Sequence, residues 1–407
     1  MTPAREALRQ RSDYTHRFNA VTGRHGWLRL TPAYSVKIVE ELLAGVTGHR
    51  RVLDPFCGTA TTALCAARHG HDAITTDVNP FLVWFGRTKT AHHRPSTIAA
   101  ARMAGDEALR LVARDAVELA AAPPIHRIER WWSPDTLRFL RGLRAAIEAT
   151  APEGGQERDL LRVAFCRTLI ALSSAAFDHQ SMSFRNGGPP AGADPARRFA
   201  GDVRSVLHGA EDNPAGRAAV ILGDARDLPA AVREPVDLVI TSPPYANRMS
   251  YVRELRPYMY WLGFLASGRD AGELDWSAIG GTWGIATSRL TDWTRDGHRF
   301  DDPELDAAVA RIAAHDARSG PLLATYVTKY ADDVWRHLQS LRSVLAPGAT
   351  VHYVVGNSTF YGVLLPVERF YATMLERLGF TGIACRPIRK RNSKKALIEF
   401  DVTARWR

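Results

Sequence analysis

Pro235-Val236-Asp237-Leu238-Val239-Ile240-Thr241-Ser242-Pro243-Pro244-Tyr245 begins as an apolar, β-branched run and stops at two consecutive prolines. The run reads as a buried strand. Proline has no backbone N–H, fixes its own φ and drives the preceding residue into an extended conformation. The chain therefore leaves the strand as a stiff segment in which the carbonyls of Ser242 and Pro243 and the Ser242 hydroxyl are acceptors for an amino group held in front of them. Tyr245 adds an aromatic plate. Acceptors beside such a plate are what a flipped-out base with an exocyclic amine requires. An ordinary strand-ending turn fits the same residues, so the rest of the chain has to decide.

Just upstream, Ala219-Val220-Ile221-Leu222-Gly223-Asp224 is a second strand, ending in an acid. Further back, Arg51-Val52-Leu53-Asp54-Pro55-Phe56-Cys57-Gly58-Thr59-Ala60-Thr61-Thr62 runs as a strand into a tight turn, followed by a small-residue helix over 63–69. The strand Ala73-Ile74-Thr75-Thr76 then ends in Asp77. This is a βαβ unit with a turn at a helix N-terminus and an acid closing the next strand, suited to holding a ribose diol at the carboxyl ends of parallel strands. The turn carries one glycine where the dinucleotide fingerprint has three, and a plain βα turn remains the competing account. Strands ending in Asp54, Asp77 and Asp224 beside a fourth ending in the Ser-Pro-Pro-Tyr corner specify a polar rim that no single member does.

Outward from this frame, Val36, Val39, Leu42 and Leu43 give an amphipathic helix entered through Thr31 and Pro32. Residues 81–215 are mostly helical in pattern, with Ser133 capping a helix that begins at Pro134 and a Gly/Pro-rich loop over 178–192. After Tyr245, Arg248, Tyr251, Arg253 and Arg256 interleave arginine with tyrosine, a pattern suited to phosphate contact and base stacking and equally to a solvated helix face. Residues 266–325 read as irregular. A helix from Tyr326, a strand over 350–355, a helix over 365–378 and strands over 382–387 and 396–403 complete the pattern, the last two flanking a basic tip with Arg389, Lys390, Arg391 and Lys394. That tip suits a nucleic-acid backbone or simply guards a sheet edge.

Length allows one large domain with insertions. The expected division is 1–90 (N-terminal helix and cofactor half), 91–215 (helical insertion), 216–265 (catalytic half), 266–325 (irregular insertion) and 326–407 (distal sheet half). A net charge of +10 and a pI near 9.7 favour a polyanionic partner. Four scattered cysteines without a Cys-x-x-Cys pair fit a reducing cytoplasm. Residues 1–18 lack an apolar core, and no stretch approaches the roughly 18 apolar residues of a membrane span. His92-His93 is poorly placed for a metal, and none is expected.

Together these stretches resemble the S-adenosylmethionine-dependent amino-methyltransferases of DNA, most closely the bacterial cytosine-N4 modification methylases. The resemblance covers most of the sheet-forming parts. It implies a Rossmann-like methyltransferase fold: a mostly parallel twisted sheet flanked by helices, its last strand antiparallel, with a helical insertion. It implies S-adenosyl-L-methionine held by Thr31, Pro32, Asp54, Pro55, Phe56, Cys57, Gly58, Thr59, Thr61, Asp77, Asn79, Asp224 and Thr241, with Asp77 on the ribose and Asp224 on the adenine ring. It implies a catalytic Ser242, Pro243, Pro244 and Tyr245, double-stranded DNA whose base is flipped, and a restriction endonuclease or other defence component as partner. In this family Ser-Pro-Pro-Tyr goes with cytosine, and Asp/Asn-Pro-Pro-Tyr more often with adenine. Ala60 departs from the family at its usual second glycine, and the motif order fits no standard arrangement, which leaves target recognition to 266–325. Adenine-N6 methylation, an RNA guanine-N2 enzyme and a silent nucleic-acid-binding module are the alternatives. Carbon-5 methylation is disfavoured, because no cysteine lies near the Ser-Pro-Pro-Tyr corner in sequence.

Overall fold

The apolar runs assemble into one seven-stranded sheet. The computed structural model describes residues 8–30, 33–176, 183–185, 194–247, 250–281, 285–391 and 396–407. The strands are β1 (Arg51–Asp54), β2 (Asp72–Asp77), β3 (Arg217–Leu222), β4 (Val236–Thr241), β5 (Leu345–Gly356), β6 (Thr381–Lys390) and β7 (Ile398–Arg405), in the spatial order β3-β2-β1-β4-β5-β7-β6. The first five are mutually parallel, and β7 runs antiparallel between β5 and β6. This is the Rossmann-like methyltransferase fold. The chain builds β1 to β3 outward in one direction, then returns to lay β4 on the other side of β1, which makes the β1/β4 boundary the switch point where such sheets bind ligands.

Burial on both faces explains why the central strands read as continuous apolar runs. Val52, Leu238 and Ile240 face a core shared with Val36, Val39 and Ala63. Leu53 and Val239 face the opposite core, with Val351, Tyr353, Val334 and Leu338. Val239 and Ile240 are fully buried, each worth roughly 1.5–3 kcal/mol in apolar transfer. The helices involved are α1 (Val36–Leu43), α2 (Thr61–Arg68) and α3 (Pro80–Thr90) on one face and α12 (Gly320–Arg342) and α13 (Val367–Arg377) on the other. Ser35 caps α1 and Asn79 caps α3, the latter just ahead of Pro80.

The long interval between β2 and β3 carries α4 (Pro95–Ala113), α5 (Pro134–Thr150), α6 (Gln156–Ala171) and α7 (Pro195–Glu211), which form their own core around Trp132, Phe165 and Trp261. Buried Arg24 ties this unit to the sheet, donating to the carbonyls of Gly209 and Ala210 in α7 and of Lys89 and Ala91 at the end of α3, and to Asn213 Oδ1, at 2.6–3.0 Å. Helix C-termini are where a cation is favoured.

Two expectations are corrected. Residues 266–325 are not irregular: they contain α9 (Gly268–Ser277), α10 (Ile285–Asp292) and α11 (Pro303–His315), which come after the short α8 (Arg256–Trp261). A Ser267/Asp270 capping box starts α9, and Asp302 ahead of Pro303 starts α11, local signals that the scarcity of long apolar stripes obscures. The last hairpin is also longer than expected, because its first strand continues through Lys390, so Arg389 and Lys390 belong to a strand and not to a tip. The backbone N–H of Lys390 donates to the Arg9 carbonyl, bringing the N-terminal segment against this edge.

Gly86 in α3 sits behind the turn after β1. A Cβ there would lie 3.0 Å from Val220 Cγ1, 3.2 Å from Cys57 Sγ and 3.3 Å from Ala60 Cβ. Gly86→Ala is therefore expected to lower the unfolding free energy in urea by about 1–3 kcal/mol. A wild-type value would show that the helix has slack there.

Candidate functional site

One cavity of about 950 Å³ opens at the carboxyl ends of β1, β2, β3 and β4, a volume in the range of cofactor and ligand sites. Its wall includes Pro55, Phe56, Cys57, Gly58, Thr59, Thr61, Asp77, Asn79 and Asp224 from the first half of the sheet. The same cavity is lined by Ser242, Pro243, Pro244, Tyr245 and Tyr251. The fold thus brings these nine of the expected cofactor residues and the expected catalytic corner into one space.

The turn after β1 is shaped by its backbone. Gly58 has φ +49° and its N–H donates to Asp77 Oδ2 at 3.0 Å, while Asn79 N–H donates to Asp77 Oδ1 at 2.9 Å. Ala60, at the expected second glycine, adopts φ +55°, a left-handed conformation that costs a non-glycine residue about 1–2 kcal/mol. Beneath the turn, buried Lys89 donates to the Thr59 carbonyl at 2.5 Å. Burial raises the Asp77 carboxyl to about 6 despite its backbone N–H partners. Cys57 lines the cavity, but burial pushes its thiol far up and away from a nucleophilic thiolate.

Asp54 and Thr241 stand behind the wall and not in it. Both are buried, and the Thr241 hydroxyl donates to Asp54 Oδ1 at 2.6 Å. The Phe56 N–H donates to the same oxygen at 3.1 Å, while Asp54 Oδ2 is buried without a partner among the described residues. Burial raises this carboxyl to about 7. The pair links the turn after β1 to the corner after β4.

At that corner the Ser242 hydroxyl donates to the Val354 carbonyl at 3.0 Å, which leaves its lone pairs as acceptors. The Pro244 carbonyl is engaged by the Tyr330 hydroxyl at 3.0 Å. Tyr251 accepts from the Tyr245 N–H at 2.8 Å. The Tyr245 hydroxyl donates to Glu399 Oε1 at 2.8 Å, and Arg389 Nε donates to Glu399 Oε2 at 2.7 Å. The Arg391 guanidinium lies over the Tyr245 ring, 4.8 Å from its centroid, and donates to the Asn357 carbonyl at 2.8 Å. At that spacing Arg391 stands where a base would stack on this face. Gly356 permits the packing, since a Cβ there would come within 2.9 Å of Tyr245 Cε2.

The proposed nucleic-acid contacts divide. Arg389, Arg391 and Tyr251 line the cavity; Lys390 is exposed outside it, and Arg253 and Arg256 are half-buried beside α8, outside the cavity wall. Thr31, Pro32, Arg248 and Lys394 lie outside the described residues. Three groups of wall residues carry no motif: Arg11, His16 and Arg17 of the N-terminal segment, Leu274, Ser277, Ala278 and Ile279 around the end of α9, and Glu399. Only Glu399 leaves a trace in the sequence, as an acid inside a strand pattern. Arg29, Arg389 and Arg391 join the N-terminal arginines in the cavity wall.

Among the described residues, no group of three or more His, Cys, Asp and Glu side chains is arranged to hold a metal ion, and no helix is long and apolar enough to cross a membrane. His93 is spent internally, on Thr88 O at 3.0 Å and Gln156 Oε1 at 3.2 Å.

No family model matches the chain, and no curated protein matches its sequence. Among solved structures, two of "rRNA methyltransferase aviRa from Streptomyces viridochromogenes" align with it. One shares 14% identity over 92% of this chain and 86% of that chain, with a TM-score of 0.32. The other shares 12% over 95% and 92%, with a TM-score of 0.34. The fold assignment rests on the strand order itself.

The raised Asp54 carboxyl has a signed consequence. Between the ordinary carboxyl value of about 4 and about 7, the folded chain keeps a proton that the unfolded chain has released, so stability falls as pH rises through that window. Urea unfolding of wild type and Asp54→Asn at pH 4.5, 6 and 7.5 is expected to show a steeper decline in wild type, by up to about 1.4 kcal/mol per pH unit. Parallel curves would show that Asp54 is ionised throughout.

Proposed function

We propose that this protein transfers a methyl group from S-adenosyl-L-methionine to the exocyclic amino group of a flipped cytosine in DNA. The observation that carries the reading is the shared cavity: a glycine turn closed onto a strand-end acid on one side, and an acceptor corner beside an aromatic ring on the other. The residues present fit the cofactor. Asp77 presents a carboxylate for ribose hydroxyls at the end of β2, and the turn at Cys57–Thr59 leaves the backbone open to the cavity.

When bound, S-adenosylmethionine supplies an electrophilic methyl group on a sulfonium. The chain supplies orientation and electrostatics. Acceptors at Ser242 and Pro243 would hold the amino protons, turn the nitrogen lone pair out of the ring plane and aim it at the methyl carbon; the N–C bond would form as the methyl–sulfur bond breaks, the neutral thioether leaving and the nitrogen's surplus proton passing these acceptors to water. Tyr245, fixed through Glu399, supports the base once Arg391 has moved aside. The net charge of +10 and the arginines of the cavity wall support a phosphate-bearing partner, although Arg389 is paired with Glu399 and Arg11 with Asp13. Cytosine rests on Ser242 opening the motif.

The test is incubation with S-adenosylmethionine and unmethylated DNA or RNA, followed by digestion and nucleoside mass spectrometry. N4-methylcytosine from DNA is expected, and is lost in Ser242→Ala/Tyr245→Ala. N6-methyladenine would overturn the base assignment, and methyl transfer to RNA alone would overturn the choice of DNA. Gly356→Ala, which crowds Tyr245 and Arg391, is expected to reduce turnover at least tenfold while affinity for S-adenosylhomocysteine stays within twofold of wild type by calorimetry. Equal losses in both would place Gly356 in the cofactor half.

A further inference from the structure

We infer that Arg226 is a positioning residue of the cofactor cavity: it latches the end of α9, residues 274–279, over the end of β3 and thereby closes the cavity on its ligand. The inference rests on the reading that the cavity takes S-adenosylmethionine.

Asp224, expected to read a purine ring directly, has both carboxylate oxygens occupied. Arg226 donates from its backbone N–H at 2.8 Å and from Nε at 3.0 Å to Oδ1, and from Nη2 at 2.7 Å to Oδ2. Burial alone would raise this carboxyl, but the guanidinium outweighs it and holds it below the ordinary range. The acid therefore meets the cavity as one half of a neutral ion pair, with three donors of Arg226 already on its two oxygens. Arg226 does not stop there. Its Nη1 donates to Asp333 of α12 at 2.8 Å, and its Nη2 to the Ser277 carbonyl at 2.6 Å. Asp333 also receives Lys329 at 2.6 Å, and the Lys329 ammonium lies 4.8 Å from the Trp276 ring centroid.

Two cations and two carboxylates thus balance around one planar fork, and both terminal residues of the roof helix, Trp276 and Ser277, are held by that network. A guanidinium can do this because its donors leave in fixed, divergent directions; a lysine ammonium at 226 could satisfy Asp224 and not the rest. The segment's contribution to the cavity is apolar surface. Leu274 and Ile279 line it, as do Phe56 and Ala225. At the other end of the segment, a Cβ on Gly280 would lie 3.5 Å from the Tyr245 carbonyl. The segment therefore runs from the catalytic corner to the end of β3 and belongs to the cavity wall, where the sequence pattern suggested target recognition.

The experiment compares wild type, Arg226→Met, Arg226→Lys and the control Arg138→Met, which removes an exposed ion pair with Asp115 outside the cavity wall. Release of S-adenosylhomocysteine is tracked by stopped-flow displacement, hydrogen exchange is measured over 274–279, and thermal unfolding is recorded for each. The expected result is release at least tenfold faster in Arg226→Met, with exchange over 274–279 raised, and wild-type release in Arg138→Met. Arg226→Lys is expected to regain thermal stability while still releasing fast, and it carries the comparison if Arg226→Met does not fold. Release within twofold of wild type in both Arg226 variants, with only the melting temperature lowered, would overturn the inference and leave Arg226 a structural ion pair. Wild type that binds no S-adenosylhomocysteine, yet shows exchange over 274–279 that depends on Arg226, would overturn the cofactor reading itself.

Discussion

The Thr241 hydroxyl and the Asp54 carboxylate meet across 2.6 Å in the buried floor between β1 and β4, and the geometry of the site depends on that contact. The two residues end neighbouring parallel strands that are far apart in sequence. Asp54 leads into the turn that faces Asp77, and Thr241 leads into the Ser-Pro-Pro-Tyr corner. A short bond between these ends fixes the separation of the two halves. The carboxylate also takes the Phe56 N–H, so the same group sets the first step of the turn. Holding an acid there has a thermodynamic cost, visible in the upward shift of its carboxyl, and strain or poor solvation at a ligand site is where a fold tolerates such a cost.

A second tier of contacts keeps the corner in place from outside the motif. His337 bridges Ala225 and Tyr353: its Nδ1 must carry the proton, since the Ala225 carbonyl at 2.8 Å can only accept, and Nε2 then accepts from the Tyr353 hydroxyl at 2.7 Å. Burial keeps this ring neutral, with its titration lowered to about 4. Tyr330 and Glu399 grip the corner through the Pro244 carbonyl and the Tyr245 hydroxyl. Helix α12 and strand β7 therefore govern the aim of a segment nearly a hundred residues or more away in the chain.

The sheet was legible because its information is local. Apolar runs ending in Asp54, Asp77 and Asp224, and the double proline after Ser242, each announce a strand end within a few residues, and the resemblance supplied a mostly parallel sheet with an antiparallel last strand. Long-range pairing was not legible. Nothing near Asp224 in sequence says that Arg226 will reach Asp333 and Ser277, and nothing in Gln10–Arg17 says that this segment will line the cavity beside β6. Arg389 illustrates the limit: in sequence it is one of a basic cluster, while in the fold it is bound to a buried acid ten residues away. The helices of 266–325 had caps that the sequence displays, but their apolar faces are short, and periodicity alone does not raise them above a loop.

The central claim is that the turn after β1 and the Ser-Pro-Pro-Tyr corner serve the two ends of one methyl transfer. Its most direct test is a crystal structure of the protein with S-adenosylhomocysteine. The account predicts the ligand inside the cavity, its ribose hydroxyls within hydrogen-bonding distance of the Asp77 carboxylate and its sulfur facing Ser242 and Pro243. A ligand bound with its ribose away from Asp77, or a cavity that stays without it at saturating concentration, would contradict the account.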